Sequence, residues 1–255
     1  QRDRAAGTSA VTLLSAYDLR STQNSGKGPS TFLSKIAGAS DIHRKGIIGT
    51  GVTVAVVDTG YYDIDDISKS PDGTRRILAQ YDAISGNKIS VNSDATAYDM
   101  NGHGSHVTSV IANSERDEDG NYLGVAPGVN IVSVTAFDAN GNGTYLDVIR
   151  GLDWILTNAD LYSIRVVNMS FSAEPQSHYW DDPINQAVMR LWYEDIVIVA
   201  SAGNKGPDAQ TIGVPGNVPY VITVGSMNDK GTPLFGEDDM LSSFSSAGPT
   251  VEGFV

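Results

Sequence analysis

The sequence predicts an α/β fold with a doubly wound, mostly parallel sheet that is flanked by helices. Runs that resemble strands alternate with runs that resemble helices along the chain, which is the order that βαβ units produce. The strand-like runs are apolar at consecutive positions, as is typical of parallel strands that are covered on both faces. The chain has 255 residues, of which 40% are apolar, so it can bury the core of one large domain.

The composition excludes several classes of function. The chain has no cysteine, so it can form no disulfide, thiolate metal site or cysteine nucleophile. Its net charge of −13 argues against nucleic acid as a partner, because phosphate contacts need clustered lysine and arginine. No apolar run approaches the roughly 20 residues of a membrane span, so no span is expected.

The first 35 residues are predicted to be a polar lead-in that wraps the surface and has little regular structure. A Gly-Lys-Gly-Pro turn signal occupies residues 26–29 within it. A short helix is expected over residues 37–45. The folded domain is predicted to extend from residue 36 to residue 255.

The first central strand is expected over residues 52–57, a β-branched run that ends at Asp58. An acid at the carboxyl end of a parallel strand lies at the edge where open α/β sheets place their sites. Asp58 is equally well suited to form a turn or to cap the next helix. Its own neighbours leave these alternatives open.

His103 lies between Gly102 and Gly104, at the start of an apolar run that predicts a helix over residues 104–112. Glycine has no β-carbon, so a histidine between two glycines stays accessible to a ligand. The pKa of histidine also suits proton transfer near neutral pH. The structural alternative is a packing helix that begins with glycine. His106 lacks the spacing and the Glu of the usual zinc motif, so a structural role is expected for it.

Two acidic stretches are weak candidates for calcium, which binds several oxygen ligands. In the second stretch oxygen-bearing side chains recur at every second residue, but the Glu that closes a calcium loop is not at the expected distance. A solvated turn is the favoured alternative. The members are Asp63, Asp65 and Asp66 in the first stretch, and Asp117, Asp119 and Asn121 in the second.

The later part of the chain continues the alternation of strands and helices. Thr144 is predicted to cap a helix with an apolar face, and Asn204 follows a strand closely. Strands are predicted over residues 131–134, 165–169, 196–200 and 220–225, and a second long helix over residues 183–193.

Asp58, His103 and Asn204 each fall just after a predicted strand or at the start of a predicted helix. An acid, a base and an amide donor are three parts of the machinery of nucleophilic acyl transfer. The acid would orient the histidine and stabilise its cation. The histidine would take a proton from a hydroxyl, and the amide would donate a hydrogen bond to the developing oxyanion.

Six motifs in a fixed order resemble the subtilisin-like serine proteases, over about residues 37–250. No single motif would carry the resemblance alone. The motifs are Val54-Ala55-Val56-Val57-Asp58-Thr59-Gly60, Gly102-His103-Gly104-Ser105-His106-Val107, Gly124-Val125-Ala126-Pro127, Asn168-Met169-Ser170, Ala202-Gly203-Asn204 and Ser243-Phe244-Ser245-Ser246-Ala247-Gly248-Pro249-Thr250.

The resemblance implies a serine endopeptidase that is secreted or otherwise lies outside the cytoplasm. Asp58 and His103 match two members of the family's catalytic triad, and Asn204 matches its oxyanion donor. The substrate is implied to be an extended polypeptide, held as an added strand between two strands of the enzyme. A structural calcium ion is a weaker implication.

The resemblance also implies which residues bind the substrate. Ser172 stands where the family more often has glycine, so it adds a side chain near the first specificity pocket. The substrate-binding residues are Gly141, Asn142 and Gly143 on one side, Ser170, Phe171 and Ser172 on the other, and Ser201, Ala202 and Gly203 in the pocket wall.

The family's nucleophile motif, which resembles Gly-Thr-Ser-Met-Ala and follows the last of the six motifs, does not occur in these 255 residues. This chain alone is therefore expected to be inactive. The favoured explanation is a nicked protease whose serine lies on an associated C-terminal fragment. The alternatives are a truncated protein and an inactive protein that binds peptides. A nucleotide-binding domain is disfavoured because no phosphate-cradling loop is present.

Overall fold

The computed structural model describes residues 10–13, 33–91, 99–230, 232, 236 and 238–254. The helices are α1 (Leu33–Ile36), α2 (Ala39–His43), α3 (Asp65–Ser68), α4 (His103–Ala112), α5 (Tyr145–Tyr162) and α6 (Pro183–Tyr193). The strands are β1 (Ala10–Leu13), β2 (Thr53–Asp58), β3 (Ile77–Asp82), β4 (Asn87–Ile89), β5 (Asn130–Thr135), β6 (Asn142–Thr144), β7 (Ile164–Met169), β8 (Phe171–Ser172), β9 (Val197–Ser201), β10 (Ile222–Val224), β11 (Met227–Asn228) and β12 (Met240–Leu241).

A seven-stranded sheet in the order β10-β9-β7-β2-β5-β3-β4 forms the centre of the molecule. Its strand pairs are parallel except for the edge strand β4, which runs antiparallel to β3. Strand β2 is the middle strand, and its side chains alternate between the two faces. Ala55 and Val57 join the core on one face, and Val54 and Val56 join the core on the other. The predicted doubly wound α/β fold is confirmed.

The long helices begin where local capping chemistry predicts. Thr144 forms a capping box with Asp147 at the start of α5, since each side chain accepts a hydrogen bond from the other's backbone. At the start of α6 the Asp182 side chain accepts hydrogen bonds from two backbone N–H groups, and Pro183 occupies the first helical turn. No helix among the described residues has the length and apolarity needed to cross a membrane.

Sequence reasoning predicted no strand between Tyr61 and Val91, where the structure has helix α3 and strands β3 and β4. Strand β3 lies inside the sheet beside β5. Its apolar pattern is interrupted by Gln80, which is buried and donates a hydrogen bond to Tyr61 Oη at 3.1 Å. A buried polar residue with a partner costs little, but it interrupts the apolar run by which a buried strand is recognised in sequence.

A second, three-stranded sheet has the order β6-β1-β8 and is antiparallel throughout. Its middle strand comes from the N-terminal lead-in, so the expectation of little regular structure is wrong for residues 10–13. Residues 1–9 and 14–32 lie outside the described part of the chain. The proposal that the lead-in wraps the surface therefore remains a prediction for most of its length.

Candidate active site

Asp58 and His103 meet at the carboxyl edge of the central sheet. Asp58 ends the middle strand, His103 begins α4, and their side chains are 1% and 8% exposed. His103 Nδ1 lies 2.7 Å from Asp58 Oδ1, which also accepts a 2.8 Å hydrogen bond from the Thr59 backbone N–H. A carboxylate in this position holds the imidazole in one tautomer and orientation.

Close contact between two backbone segments brings this pair together. A β-carbon on Gly104 would stand only 2.2 Å from the Gly60 carbonyl oxygen, so α4 can approach the end of β2 only with glycine there. Gly102 precedes the helix with a φ of 91°, a conformation that side chains rarely adopt. The two glycines beside His103 therefore shape the backbone that delivers the histidine to Asp58.

The carboxylate of Asp99 caps the same helix. One oxygen accepts from the Gly102 backbone N–H at 2.8 Å, and the other accepts from the Ser105 backbone N–H at 2.8 Å and hydroxyl at 2.7 Å. Burial alone would raise the pKa of the Asp99 carboxyl, but these hydrogen bonds outweigh burial and hold the pKa below its ordinary value. Sequence reasoning missed this residue, although an acid just before a helix is a typical capping signal.

Arg76 holds the opposite end of α4. It is fully buried and donates hydrogen bonds to the backbone carbonyls of Ala112, the last residue of the helix, and Lys69. Burial lowers the pKa of the guanidinium to about 10, which leaves it charged at neutral pH. Helix α4 is thus fixed at both ends, and sequence reasoning missed this contact too.

Asn204 lies three residues beyond β9 and is exposed, next to Gly203, whose φ is 110°. It lines the same open groove as His103 and Ser170, with a volume of about 470 Å³. His106 also lines this groove, and burial together with the neighbouring His103 lowers its pKa. Asn204 and His103 therefore line one groove, and the role of Asn204 as an oxyanion donor stays a prediction.

The two predicted substrate strands lie on either side of β1. Residues 142–144 form β6 and residues 171–172 form β8, and the gap between them is one strand wide. Thr12 of β1 stands opposite Asn142 on one side and Ser172 on the other. In this structure the strand between β6 and β8 is β1 of the same chain, and substrate binding by these residues stays a prediction.

The acidic side chains of these stretches form hydrogen bonds and ion pairs with nearby residues of the chain. Asp117 Oδ1 accepts hydrogen bonds from the backbone N–H groups of Asp119 at 3.0 Å and Asn121 at 2.8 Å. Asp63 pairs with Arg75 at 2.8 Å. In the part of the chain that the structure describes, no group of three or more acidic or histidine side chains is placed to hold a metal ion. Calcium remains an untested prediction.

Comparisons with known proteins agree with these motifs. The profile of the peptidase S8 family, described as the subtilase family, matches residues 49–255. Serine protease AprX of Bacillus subtilis (strain 168) is 39% identical over 223 residues, which are 84% of this chain and 47% of that protein. Subtilisin E of the same organism is 32% identical over 217 residues, which are 84% of this chain and 49% of that protein.

A solved structure, the S41 psychrophilic protease, superposes with a TM-score of 0.59 at 27% identity. The match covers 78% of this chain and 59% of that one. The chain spans about half the length of the curated relatives AprX and subtilisin E.

Proposed function

The chain belongs to the subtilase family, and from that premise we propose that it supplies the base, the acid and the peptide groove of a serine endopeptidase. The hydrogen bond between Asp58 and His103 is the observation that carries the proposal. His103 takes the proton of a serine hydroxyl while the hydroxyl oxygen attacks the substrate carbonyl. Asp58 stabilises the resulting imidazolium, and Asn204 donates a hydrogen bond to the oxyanion. His103 then gives the proton to the leaving amine.

The nucleophilic serine is proposed to come from a segment outside these 255 residues, on an associated fragment. Two features support this. The groove beside His103 is open. The edge strand β10 and its neighbour β9 expose apolar side chains, with Val197 at 45%, Ile222 at 55% and Val224 at 50%. Contiguous apolar surface of this kind is typical of a face that another segment covers.

The substrate is proposed to be an extended polypeptide that adds as a strand between β6 and β8. The position of β1 supports this binding mode, because backbone pairing to two strand edges makes few demands on sequence. Residues 36–255 are proposed to form the peptidase domain. Its location outside the cytoplasm and a structural calcium ion are proposed on the family likeness alone.

A second candidate is a protein that binds peptides without cleaving them. Strand β1 favours it, since the groove is already filled by a segment of the same chain. The acid–base pair favours the enzyme, because binding alone needs no oriented histidine.

Fluorophosphonate labelling followed by intact mass measurement, with and without denaturant, separates the two. A protease gives a second polypeptide with a labelled serine, and His103→Ala abolishes the labelling while the exposed His178→Ala keeps it. A single unlabelled species of 27.0 kDa that binds extended peptides without turnover identifies the binding protein instead. A single species that neither labels nor binds peptides contradicts both proposals.

A further inference from the structure

We infer that Thr59 is a positioning residue for the acid–base pair, and that its side-chain hydroxyl weakens the hold of Asp58 on the proton of His103. The inference rests on the proposed function, because it concerns the histidine that takes the proton of the serine hydroxyl. Thr59 acts on that histidine only through Asp58, so its effect is measured on His103 and not on a bound peptide.

The Thr59 side chain lies between the end of β2 and the start of α4. It is 4% exposed, so its hydrogen bonds are shielded from water. Its hydroxyl oxygen accepts a 2.8 Å hydrogen bond from the backbone N–H of Gly104, in the first turn of α4. A hydroxyl that accepts a hydrogen bond still has its own proton to donate. The Gly104 N–H therefore fixes the oxygen in place and leaves the proton for another acceptor.

Asp58 Oδ1 is an acceptor for that proton. The Thr59 hydroxyl oxygen lies 3.3 Å from it, and the Thr59 backbone N–H donates to it at 2.8 Å. With His103 Nδ1 at 2.7 Å, this oxygen faces three hydrogen-bonding groups, two of them on Thr59. The other oxygen, Asp58 Oδ2, is buried and has no hydrogen-bond partner among the described residues. Thr59 therefore acts on the oxygen that faces the histidine.

Donors on this oxygen change how strongly Asp58 holds the proton of His103. A buried carboxylate beside a histidine favours the imidazolium, because opposite charges attract strongly away from water. A hydroxyl that donates to the carboxylate stabilises its negative charge, and most of all when the imidazole is neutral and no cation compensates that charge. The Thr59 hydroxyl should therefore keep the pKa of His103 lower than Asp58 alone would set it. A pKa near the working pH is what a general base needs.

Asp99 is a second acceptor for the same proton. A hydrogen bond with the Thr59 side chain is one of the causes that hold the pKa of Asp99 below its ordinary value. A hydroxyl has one proton, so it donates to only one of the two carboxylates at a time. Both oxygens of Asp99 already accept from Gly102 and Ser105, whereas Asp58 has a buried oxygen without a partner in the described part of the chain. This difference favours donation to Asp58.

The pKa of His103 in the 255-residue chain tests the inference, and the pH dependence of its Cε1 proton resonance measures it. Thr59→Val removes the hydroxyl and nearly keeps the size of the side chain. We expect it to bind the His103 proton about threefold more tightly, which is a rise of about 0.5 in the pKa. Thr59→Ser keeps the hydroxyl and should match the wild-type pKa within about 0.1. Thr59→Ala also removes the hydroxyl, and it gives the measurement if Thr59→Val does not fold.

Other titratable groups act on His103 and are unchanged in this comparison. Asp58 ends β2, Asp99 caps the start of α4, and His106 lies one turn further along α4. Burial and then the charge of His103 lower the pKa of His106, so the two imidazoles do not bind protons independently. The titrations of His103 and His106 are therefore fitted together in each variant.

Thr53→Val is the matched control. Thr53 lies at the other end of β2, is fully buried, and donates a hydrogen bond to the Tyr162 carbonyl at 2.7 Å. This variant loses a buried hydroxyl from the same strand, so it should lose stability as Thr59→Val does. Because Thr53 is remote from Asp58 along the strand, the pKa of His103 should not change.

An equal pKa in wild type and Thr59→Val, with both chains folded by circular dichroism, would mean that the hydroxyl serves Asp99 and overturns the inference. An equal rise in Thr53→Val would mean that lost stability alone moves the pKa, which overturns it as well. Absence of a downfield Nδ1 proton resonance for His103 in the wild-type chain, at every pH tested, would show that His103 does not pair with Asp58. That result contradicts the proposed function together with the inference.

Discussion

The corner that holds Asp58 and His103 and the groove between β6 and β8 are built by different means. At the corner, buried side chains and bare backbone fit each other, and Asp58 Oδ1 accepts hydrogen bonds from His103 and Thr59. In the groove, two strand edges leave room for a third strand, and β1 takes that place. The corner therefore tolerates few residues at each position, whereas backbone pairing of the kind that β1 makes places few demands on sequence.

Because of this difference, the acid–base pair and the proposed peptide groove depend on different parts of the fold. The acid–base pair is formed with no substrate needed to assemble it, so binding energy is not spent on orienting His103. In the proposed binding mode, by contrast, an incoming peptide strand replaces β1 between β6 and β8. Changes at the corner should therefore affect folding and the histidine together, while changes in β1 should affect affinity and leave the fold intact.

Gly104→Ala should have the largest effect, because it places a β-carbon 2.2 Å from the Gly60 carbonyl oxygen. The obstacle is backbone, which cannot move aside as a flexible side chain could. We expect the free energy of unfolding to fall by about 3 kcal/mol or more. Urea denaturation measures this loss, and the Nδ1 proton resonance of His103 reports whether the pair with Asp58 survives.

Ser109→Ala in the same helix is the matched control. Among the residues that the structure describes, the Ser109 hydroxyl bonds within its own helix, to the His106 carbonyl at 2.8 Å. Its replacement should change the free energy of unfolding by less than about 0.5 kcal/mol. Equal stability of the two variants would show that the corner is not closely packed.

Asp99→Ala should have the next largest effect, because it leaves partly buried N–H groups at the start of α4 without their acceptor. We expect a loss of about 2 kcal/mol in the free energy of unfolding. Asp99→Asn keeps one acceptor oxygen and should lose less. Asp153→Ala, at an exposed position of α5, provides the baseline in the same urea titration. If Asp99→Ala matches that baseline, the cap does not stabilise the helix.

The elements that sequence reasoning found are those with strong local signals. The β-branched run of β2 and the capping residues Thr144 and Pro183 act within a few positions, so the chain order alone identifies them. Asp58 and His103 were found because each has a distinctive setting, a strand end and a pair of glycines. The inference that the two residues belong to one site came from the family resemblance more than from any one motif.

The elements that were missed depend on partners far along the chain. Strand β1 is four residues long and exists by pairing with β6 and β8, more than a hundred residues away. Arg76 lies just before β3 and contacts the end of α4 from there, and nothing near it in sequence indicates that contact. Strand β3 was hidden by Gln80, whose partner Tyr61 lies 19 positions earlier. Such contacts are tertiary, and local sequence propensity does not predict them.

Thr12→Pro tests the groove in the way that Gly104→Ala tests the corner. Proline has no N–H and is excluded from the middle of a sheet, so β1 should leave the groove. We expect affinity for acetyl-Ala-Val-Thr-Leu-amide to rise about tenfold and the free energy of unfolding to change by less than about 1 kcal/mol. Thr12→Val keeps the N–H and should bind the peptide as wild type does. Unchanged affinity in Thr12→Pro would mean that β1 does not compete with peptides.

Lowering the pH should change the free energy of unfolding least of all these tests. It shows whether the negative charge of Asp99 stabilises the start of α4. Its hydrogen bonds hold the pKa of the folded carboxyl below its ordinary value, so its ionised form stabilises the fold. This contribution is complete above the unfolded pKa of about 3.9 and is lost as the pH falls through the lower pKa of the folded state. The difference in free energy of unfolding between wild type and Asp99→Asn should therefore be constant from about pH 7 to about pH 5 and shrink below about pH 4. Asp153→Asn controls for the change in net charge. A difference that stays constant down to about pH 2 would mean that Asp99 acts through its shape and not its charge.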